Sequence, residues 1–238
     1  MKGEFHKGER IYFIHHQELY HAIKSDKNVL RQLLRKLFEA FDLLHQNGIV
    51  HADLKSDNIL VSYKDSQIVD VKVIDFGSAF MFDTAREISM STPEYLAPEI
   101  LGYLSNRNKG KFKEGVMSVF KTMKIWSYDM WSVGALLLEV ITGFPLWLSL
   151  KGRTKTLRGK QIFGTGVFGV AGRDWGKILK KQKELINKNL IASLKKYDTW
   201  GYDKDDDFMD LLKSLLQFWP SKRISAKEAL NHPFLNFE

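Results

Sequence analysis

Two short stretches of the chain carry side chains that could transfer a phosphoryl group. Residues 51–58 read HADLKSDN, and residues 75–77 read DFG. One carboxylate, such as that of Asp53, can orient an attacking hydroxyl and accept its proton, while another carboxylate and an amide oxygen can hold magnesium. Lys55 would add positive charge where the transferred phosphate gains negative charge. Since Asp and Asn also favour turns and helix caps, residue type alone leaves a purely structural role open.

The elements on either side would fix both ends of these stretches. Apolar residues recur at helical spacing from Val29 to Leu44, and Asn47 with Gly48 gives this helix a C-terminal cap. Short strands are expected at residues 59–61, after the first stretch, and at 71–74, before the second. The other predicted elements are a strand at 11–14 and helices at 18–23, 126–142, 177–194, 208–218 and 225–230. The chain therefore combines a little strand with much helix.

Composition limits the class of protein. The 238 residues are 44% hydrophobic, enough to bury a substantial core, and no cysteine is present for disulfides or cysteine-bound zinc. Residues 133–150 approach the length of a membrane span but contain Glu139 and Pro145, which favours a buried helix and no membrane span. Because Met1 is followed by polar residues rather than a signal peptide, we expect a soluble intracellular protein of the cytoplasm or nucleus.

The net charge of +8 comes in part from two basic runs, at residues 107–124 and 151–160. Such runs are usually solvated loops. A nucleic-acid partner is not favoured, because no aromatic-interleaved groove or recognisable binding module accompanies the basic residues.

Five motifs, found in the same order, resemble those of the protein kinases. Residues 51–58 resemble the catalytic loop H-R-D-L-x-x-x-N, and residues 75–77 match D-F-G. Residues 92–99, TPEYLAPE, are similar to the segment that ends in A-P-E, and residues 129–134, DMWSVG, to D-x-W-S-x-G on the family's central helix. Arg223 occupies the place of an arginine that pairs with the glutamate of A-P-E. A lone D-F-G is common by chance, whereas five ordered motifs over most of the chain are not.

The resemblance implies a protein kinase-like α+β fold, here a mainly α-helical large lobe with short β hairpins around the catalytic loop. In these terms residues 1–14 are a remnant of the small lobe, 15–17 the hinge and 18–238 the C-terminal lobe, with insertions at about 103–125 and 144–173. Upstream of the catalytic loop we recognise neither the family's Gly-rich loop nor its strand lysine and helix glutamate. We therefore expect a partial kinase domain without most of the N-terminal lobe, which alone binds ATP weakly or not at all. The basic insertions are candidate partner-binding segments.

The resemblance gives the matching polar residues roles in catalysis. Asp53 would be the catalytic base or the hydroxyl-orienting residue, and Lys55 would approach the transferred phosphate. Asn58 and Asp75 would bind Mg²⁺. Together with Lys55 and with Leu60, which would form part of the floor under adenine, they would make the ATP site.

Further matching residues would support this site. The resemblance implies that His51 and Phe76 form a spine and that Gly77 is the glycine of D-F-G. It also implies that Thr92 contacts the Asp and Lys of the loop and that Asp129 anchors the loop backbone. Glu99 and Arg223 would form a buried ion pair.

The function that the resemblance implies is that of an ATP-dependent protein serine/threonine kinase, which phosphorylates Ser or Thr hydroxyls of protein substrates. Lys55, two residues after Asp53, and Thr92 follow the serine/threonine pattern. Ala52 replaces the usual arginine of H-R-D, so phosphorylation of the activation segment should matter less through that route. Two alternatives stay open: a noncatalytic kinase-like interaction module and, less favoured, a basic nucleic-acid-binding module.

Overall fold

A computed structural model describes residues 3–4, 10–14, 16–84, 92–108, 123–143, 151–155, 161–165, 168–169, 172–173, 175–198 and 200–236. Most of this part of the chain is helical. The helices are α1 (Gln17–Ser25), α2 (Lys27–Gln46), α3 (Pro98–Asn108), α4 (Ser127–Thr142), α5 (Trp175–Glu184), α6 (Leu190–Tyr197), α7 (Asp206–Leu215) and α8 (Ala226–Leu230). A π-helical turn, Leu185–Asn189, connects α5 to α6.

The strands are short, and all of their described pairings are antiparallel. They are β1 (Gly3–Glu4), β2 (Arg10–Phe13), β3 (Ile49–Val50), β4 (Ile59–Lys64), β5 (Gln67–Val73), β6 (Phe80–Met81), β7 (Lys151–Lys155), β8 (Gln161–Thr165), β9 (Phe168–Gly169) and β10 (Gly172–Arg173). The largest sheet in the described residues has the order β1-β2-β4-β5, and the pairs β3–β6, β7–β8 and β9–β10 lie outside it.

The long helix α2 contributes a large part of the core and leads into the catalytic loop. Its apolar residues from Val29 to Phe41 follow the spacing that the sequence predicts, and the buried ones are at most 3% exposed. The Asp26 carboxylate caps the first turn by accepting a hydrogen bond from the Asn28 N–H at 2.8 Å. Gly48, with φ +76°, turns the chain out of the helix and into β3.

Helix α4 is buried on almost every side, as its apolar sequence predicts. Glu139 is the one residue of this helix that is not fully buried. Gly134 allows a close approach to the end of α7, because a Cβ atom at this position would lie 2.8 Å from Cδ2 of Leu216 and 3.0 Å from Cβ of Leu215. Gly143 ends the helix in the left-handed conformation, with φ +84°. Among the described residues, none of the helices has the length and apolar character that crossing a membrane requires.

Strands β4 and β5 form a tight hairpin that carries the catalytic loop at one end. The two-residue turn, Asp65 and Ser66, has positive φ at both positions, 49° and 63°. This is the geometry of a type I′ turn, whose twist matches that of the flanking strands. At the other end of the hairpin Ile59 pairs with Val73, so that the residues just before β4 lie beside those just after β5.

The predicted strands and helices are present with slightly shifted ends, whereas α3, β1, β3 and β6 to β10 were not among the predicted elements. Helix α1 begins at Gln17, one residue earlier than predicted, with His16 as its cap. The single helix predicted at 177–194 is divided by the π-helical turn. Of the two predicted insertions, the first starts within α3 and continues through residues 109–122, which lie outside the described part. The described pieces of 144–173 form β7 to β10.

Candidate active site

The loop of residues 51–58, between β3 and β4, is anchored by Asp129 of α4. The buried Asp129 carboxylate accepts hydrogen bonds from the backbone N–H groups of His51 and Ala52, each at 2.9 Å. Nε2 of His45 lies 3.0 Å from the same carboxylate. Ala52 has φ +64°, a left-handed conformation that residues with a Cβ rarely adopt. Its bond to Asp129 therefore helps to hold a strained backbone at the start of the loop.

The Asp53 carboxylate is in direct contact with three of the other predicted site residues. Its Oδ1 accepts hydrogen bonds from the Thr92 N–H at 3.0 Å and the Thr92 hydroxyl at 2.9 Å. Its Oδ2 accepts one from the Lys55 ammonium at 2.9 Å, with a longer contact of 3.5 Å to Asn58 Nδ2. Asn58 Nδ2 also donates to the Asp53 carbonyl at 2.8 Å. The fold thus brings together side chains from two segments about 40 residues apart.

These contacts change the acidity of Asp53. Burial by itself would raise the pKa of this carboxyl. The hydrogen bonds from Thr92 and Lys55, together with the positive charge of Lys55, outweigh burial and lower the pKa of Asp53 below its ordinary value. Asp53 is therefore ionised at neutral pH.

Asp75 is placed beside Asn58 by the backbone. The Ile74 N–H donates a hydrogen bond to the Asn58 carbonyl at 2.9 Å. Asp75 is the next residue, so its backbone lies close to Asn58. Asp75 has φ +64°, and its Oδ1 accepts a hydrogen bond from the Gly77 N–H at 3.3 Å. The Asp75 side chain is exposed, and among the described residues we find no hydrogen bond between it and Asp53 or Asn58.

Asn58 and Asp75 could hold a divalent cation. Asn58 uses its Nδ2 on Asp53, which leaves the amide oxygen as its ligand atom. One Asp75 oxygen accepts from Gly77, and the other takes part in no hydrogen bond that we find among the described residues. Magnesium is usually bound by one or two protein groups together with phosphate and water oxygens. These two residues therefore fit a magnesium ion that is held jointly with a phosphorylated substrate.

The rings of His51 and Phe76 form a stack that links the catalytic loop to the D-F-G turn. Their centroids are 5.0 Å apart at an interplanar angle of 73°. Nε2 of His51 lies 3.1 Å from the Ile74 carbonyl oxygen, and this contact fixes the orientation of the imidazole ring. Phe76 is 47% exposed, so the stack runs from the core to the surface. Leu60 lies on β4, is partly exposed and does not take part in these contacts.

Glu99 and Arg223 form an ion pair away from the catalytic loop. Two guanidinium nitrogens of Arg223 contact the two carboxylate oxygens of Glu99, at 2.9 Å and 3.1 Å. The Arg223 side chain is fully buried, and that of Glu99 is 9% exposed. Arg223 also donates to the carbonyls of Gln217 and Ser127 and lies 5.1 Å from the Trp131 ring centroid. The charge is thus satisfied by a bidentate pair and by backbone acceptors.

Sequence reasoning missed a second polar cluster behind the loop. The Tyr95 hydroxyl donates to the Glu139 carboxylate and lies 3.4 Å from Ser56 Oγ. Burial, helped by the negative charges of Asp57 and Glu94 and opposed by the bond from Tyr95, raises the pKa of Glu139 to about 7. The signal available in the sequence was Glu139 itself, a carboxyl within the apolar run of residues 133–142. Its partners could not be identified without the fold.

Comparison with known proteins gives a consistent assignment. The protein kinase domain family matches residues 4–235. Serine/threonine-protein kinase 17A of Oryctolagus cuniculus is 30% identical over 89% of this chain and 41% of its own length. The probable serine/threonine-protein kinase fhkA of Dictyostelium discoideum is 28% identical over 96% and 37%, and the dual specificity protein kinase CLK4 of Mus musculus is 25% identical over 87% and 44%. The chain spans less than half the length of each of these relatives. With this match over nearly its whole length, the chain belongs to the protein kinase family.

Proposed function

We propose that this chain takes part in ATP-dependent phosphorylation of Ser or Thr hydroxyls on protein substrates. The main support for the proposal is the environment of Asp53. Its carboxylate is ionised and is contacted by Thr92, Lys55 and Asn58. The arrangement leaves Oδ2 of Asp53 with one short hydrogen bond, from Lys55, next to the position where an acceptor hydroxyl could bind. The two relatives named serine/threonine kinases support the choice of Ser or Thr over Tyr.

The two oxygens of Asp53 would have separate tasks. Oδ1 already accepts two hydrogen bonds from Thr92, so it positions the side chain. Oδ2 accepts one short bond from Lys55 and keeps room for the acceptor hydroxyl. Because the pKa of Asp53 is lowered, the carboxylate is a weak base that first orients the hydroxyl. The proton of the acceptor hydroxyl would pass to Oδ2 of Asp53 as the new oxygen–phosphorus bond forms and the bond between the phosphorus and the ADP oxygen breaks.

The phosphate side of the reaction would depend on Lys55, Asn58 and Asp75. Lys55 is the cation nearest to Asp53 among the described contacts and would stabilise negative charge on the transferred group. When bound, magnesium would be held by Asn58 and Asp75 and would offset the charge of the ATP phosphates. Leu60, on β4, would contact the adenine.

The test is a phosphotransfer assay with Mg²⁺, labelled ATP and peptide libraries that contain Ser, Thr or Tyr at one central position. Because the chain alone is expected to bind ATP weakly, the assay is run at millimolar ATP, and we expect slow transfer to Ser and Thr. Asp53→Asn should lower kcat at least about 100-fold, because the group that orients the hydroxyl loses its charge. Asp65→Asn is the matched control, since Asn tolerates the left-handed conformation of this hairpin turn. Equal rates for the wild type and Asp53→Asn would contradict the proposal.

A noncatalytic kinase-like interaction module is the second candidate. It is favoured by the exposure of Phe76, 47%, which leaves one end of the His51–Phe76 stack without packing in the described part of the chain. The same assay separates the two functions. A folded chain that transfers no phosphate above the Asp53→Asn background, in the presence of Mg²⁺ and ATP, would favour the interaction module.

A further inference from the structure

A groove of about 620 Å³ lies between the π-helical turn, the start of α6 and the end of α7. We call it the lysine-rimmed groove, and the lining residues that matter here are Lys183, Ile186, Lys188, Lys213, Leu216 and Trp219. None of the residues assigned above to phosphoryl transfer lines it. Its volume is within the range of sites that bind ligands in proteins.

The floor of the lysine-rimmed groove is apolar. Leu216 is 1% exposed and Leu190 is 5% exposed, and both line it. At its edge stand two large apolar side chains that are unusually open to solvent, Trp219 at 66% exposure and Ile191 at 47%. An isolated exposed apolar residue is ordinary, but a tryptophan beside an apolar groove is the typical anchor point of a protein interface.

The rim carries positive charge that has no partner we can find in the described part of the chain. Lys183, Lys188 and Lys213 are exposed, and none of them appears in the ion pairs of the described residues. The surrounding sequence is strongly basic, with seven lysines and one glutamate in residues 177–196. An occupant that combines carboxylates with apolar side chains would match both the rim and the floor.

A π-helical turn forms one wall of the groove. Leu185–Asn189 interrupts the regular helix between α5 and α6 and changes the register of the side chains on either side. Single π turns of this kind are frequent at functional sites. Here the turn carries both Ile186, on the apolar lining, and Lys188, on the rim.

We propose that the lysine-rimmed groove docks an acidic peptide segment of a partner protein, with an aromatic or aliphatic residue of the peptide on the Leu216 floor and its carboxylates on Lys183, Lys188 and Lys213. A peptide is favoured over a membrane surface because the floor is recessed and concave. A bilayer would contact the lysines and Trp219 but would not reach Leu216. Binding at this surface needs no phosphoryl transfer.

The groove is also connected to the ion pair between Glu99 and Arg223. The carbonyl of Gln217, a lining residue, accepts hydrogen bonds from Nε and Nη2 of Arg223, at 3.2 Å and 3.0 Å. Arg223 in turn binds Glu99 at the start of α3. A docked peptide would therefore contact a segment that is already fixed to the rest of the core, which limits the ordering cost of binding.

The test uses fluorescence anisotropy with a labelled peptide of about twelve residues made of Asp, Glu, Leu and Trp, in the length range of groove-binding segments. We expect saturable binding with Kd on the order of micromolar. The triple variant Lys183→Glu, Lys188→Glu, Lys213→Glu should weaken binding at least about tenfold, and Trp219→Ala about tenfold. The charge-matched control is Lys24→Glu, Lys64→Glu, Lys227→Glu, three exposed lysines outside the groove, which should change Kd less than about threefold.

Two further probes separate the ligand classes. A peptide in which Asn and Gln replace Asp and Glu should bind at least about tenfold more weakly, because it loses the rim contacts. Phosphatidylserine vesicles should bind less tightly than the acidic peptide. Absence of saturable peptide binding, equal loss in the groove and control variants, or a preference for vesicles that the groove variant abolishes would each overturn the proposal.

Discussion

At the scale of single residues, the proposed phosphoryl transfer depends on how Asp53 is held. Thr92 contributes two hydrogen bonds to one carboxylate oxygen, and Lys55 pairs with the other. Asp129 fixes the backbone one and two residues earlier. Residues 51–58 are thus oriented in part by Thr92 and Asp129, which belong to other segments of the chain.

Removing the Thr92 hydroxyl should weaken this orientation. We expect Thr92→Val to raise the pKa of Asp53 and to lower kcat about 10- to 100-fold, because a hydrogen bond to a charged group is lost while the backbone N–H remains. Thr92→Ser keeps the hydroxyl and is the matched control. The pH dependence of kcat/KM reports the change, since the acidic limb should move to higher pH in Thr92→Val. Identical profiles for the two variants would show that the hydroxyl does not act on Asp53.

Glu139 should make stability depend on pH. Its pKa is raised from 4.5 to about 7 in the folded state, so folding binds a proton between these values. The contribution of Glu139 to stability is therefore largest below about pH 4.5, falls as pH rises toward 7, and levels off above it. Glu139→Gln keeps an acceptor for Tyr95 and cannot ionise. Relative to wild type it should gain up to about 3 kcal/mol between pH 5 and pH 8.

Urea unfolding at several pH values measures this difference. The informative quantity is the gap between the two proteins, because other groups titrate equally in both. Parallel stability curves for wild type and Glu139→Gln would mean that the carboxyl of Glu139 is not held in its neutral form by burial.

At the scale of elements, the helices follow local sequence patterns, but their contacts depend on particular small residues. The spacing of apolar residues predicted α2 and α4. The division of the 177–194 helix by a π turn was not predicted, because one inserted residue rotates the side-chain register by about 100° without ending the helix. Gly134 was noted only as a motif position, whereas the structure shows that it allows α4 and α7 to pack closely.

A methyl group at Gly134 should therefore disrupt this packing. Gly134→Ala places a Cβ at 2.8 Å from Leu216 Cδ2 and 3.0 Å from Leu215 Cβ, closer than carbon atoms normally approach. We expect a loss of about 1–3 kcal/mol in the free energy of unfolding, measured by urea denaturation. Gly102→Ala in α3 is the control, because its Cβ would meet Leu179 at an ordinary 4.0 Å. That change should be neutral or stabilise the helix by up to about 1 kcal/mol. Equal effects of the two substitutions would argue against close packing at Gly134.

At the scale of the whole molecule, a few contacts connect distant parts of the chain. Arg31 and Arg35 of α2 donate to the carbonyls of Phe234 and Leu235, at 2.9 Å and 2.7 Å, and so fix the last described segment on the core. The pair of Glu99 and Arg223 joins α3 to the loop after α7. These contacts hold the helices around the catalytic loop in one arrangement.

Breaking the Glu99–Arg223 pair on one side should be costly. Arg223→Met leaves the Glu99 carboxylate nearly buried without its cation, and we expect a loss of about 3–5 kcal/mol in unfolding free energy. Glu99→Gln leaves Arg223 with its carbonyl acceptors, so its cost should be smaller. The double variant should cost less than the sum of the two, because no uncompensated charge remains. Strictly additive losses would indicate that the two side chains do not interact in solution.

The sequence by itself determined the kinase-like fold and the boundaries of most helices within a few residues. It could do so because helical spacing, turn residues such as Gly48 and ordered motifs act over short stretches of chain. Tertiary structure decided contacts that the sequence did not predict: Tyr95 with Glu139, Gly134 with the end of α7, and the lysines around the groove. Those contacts join residues tens of positions apart, and a pKa or a surface charge depends on how distant segments pack, which no local pattern encodes.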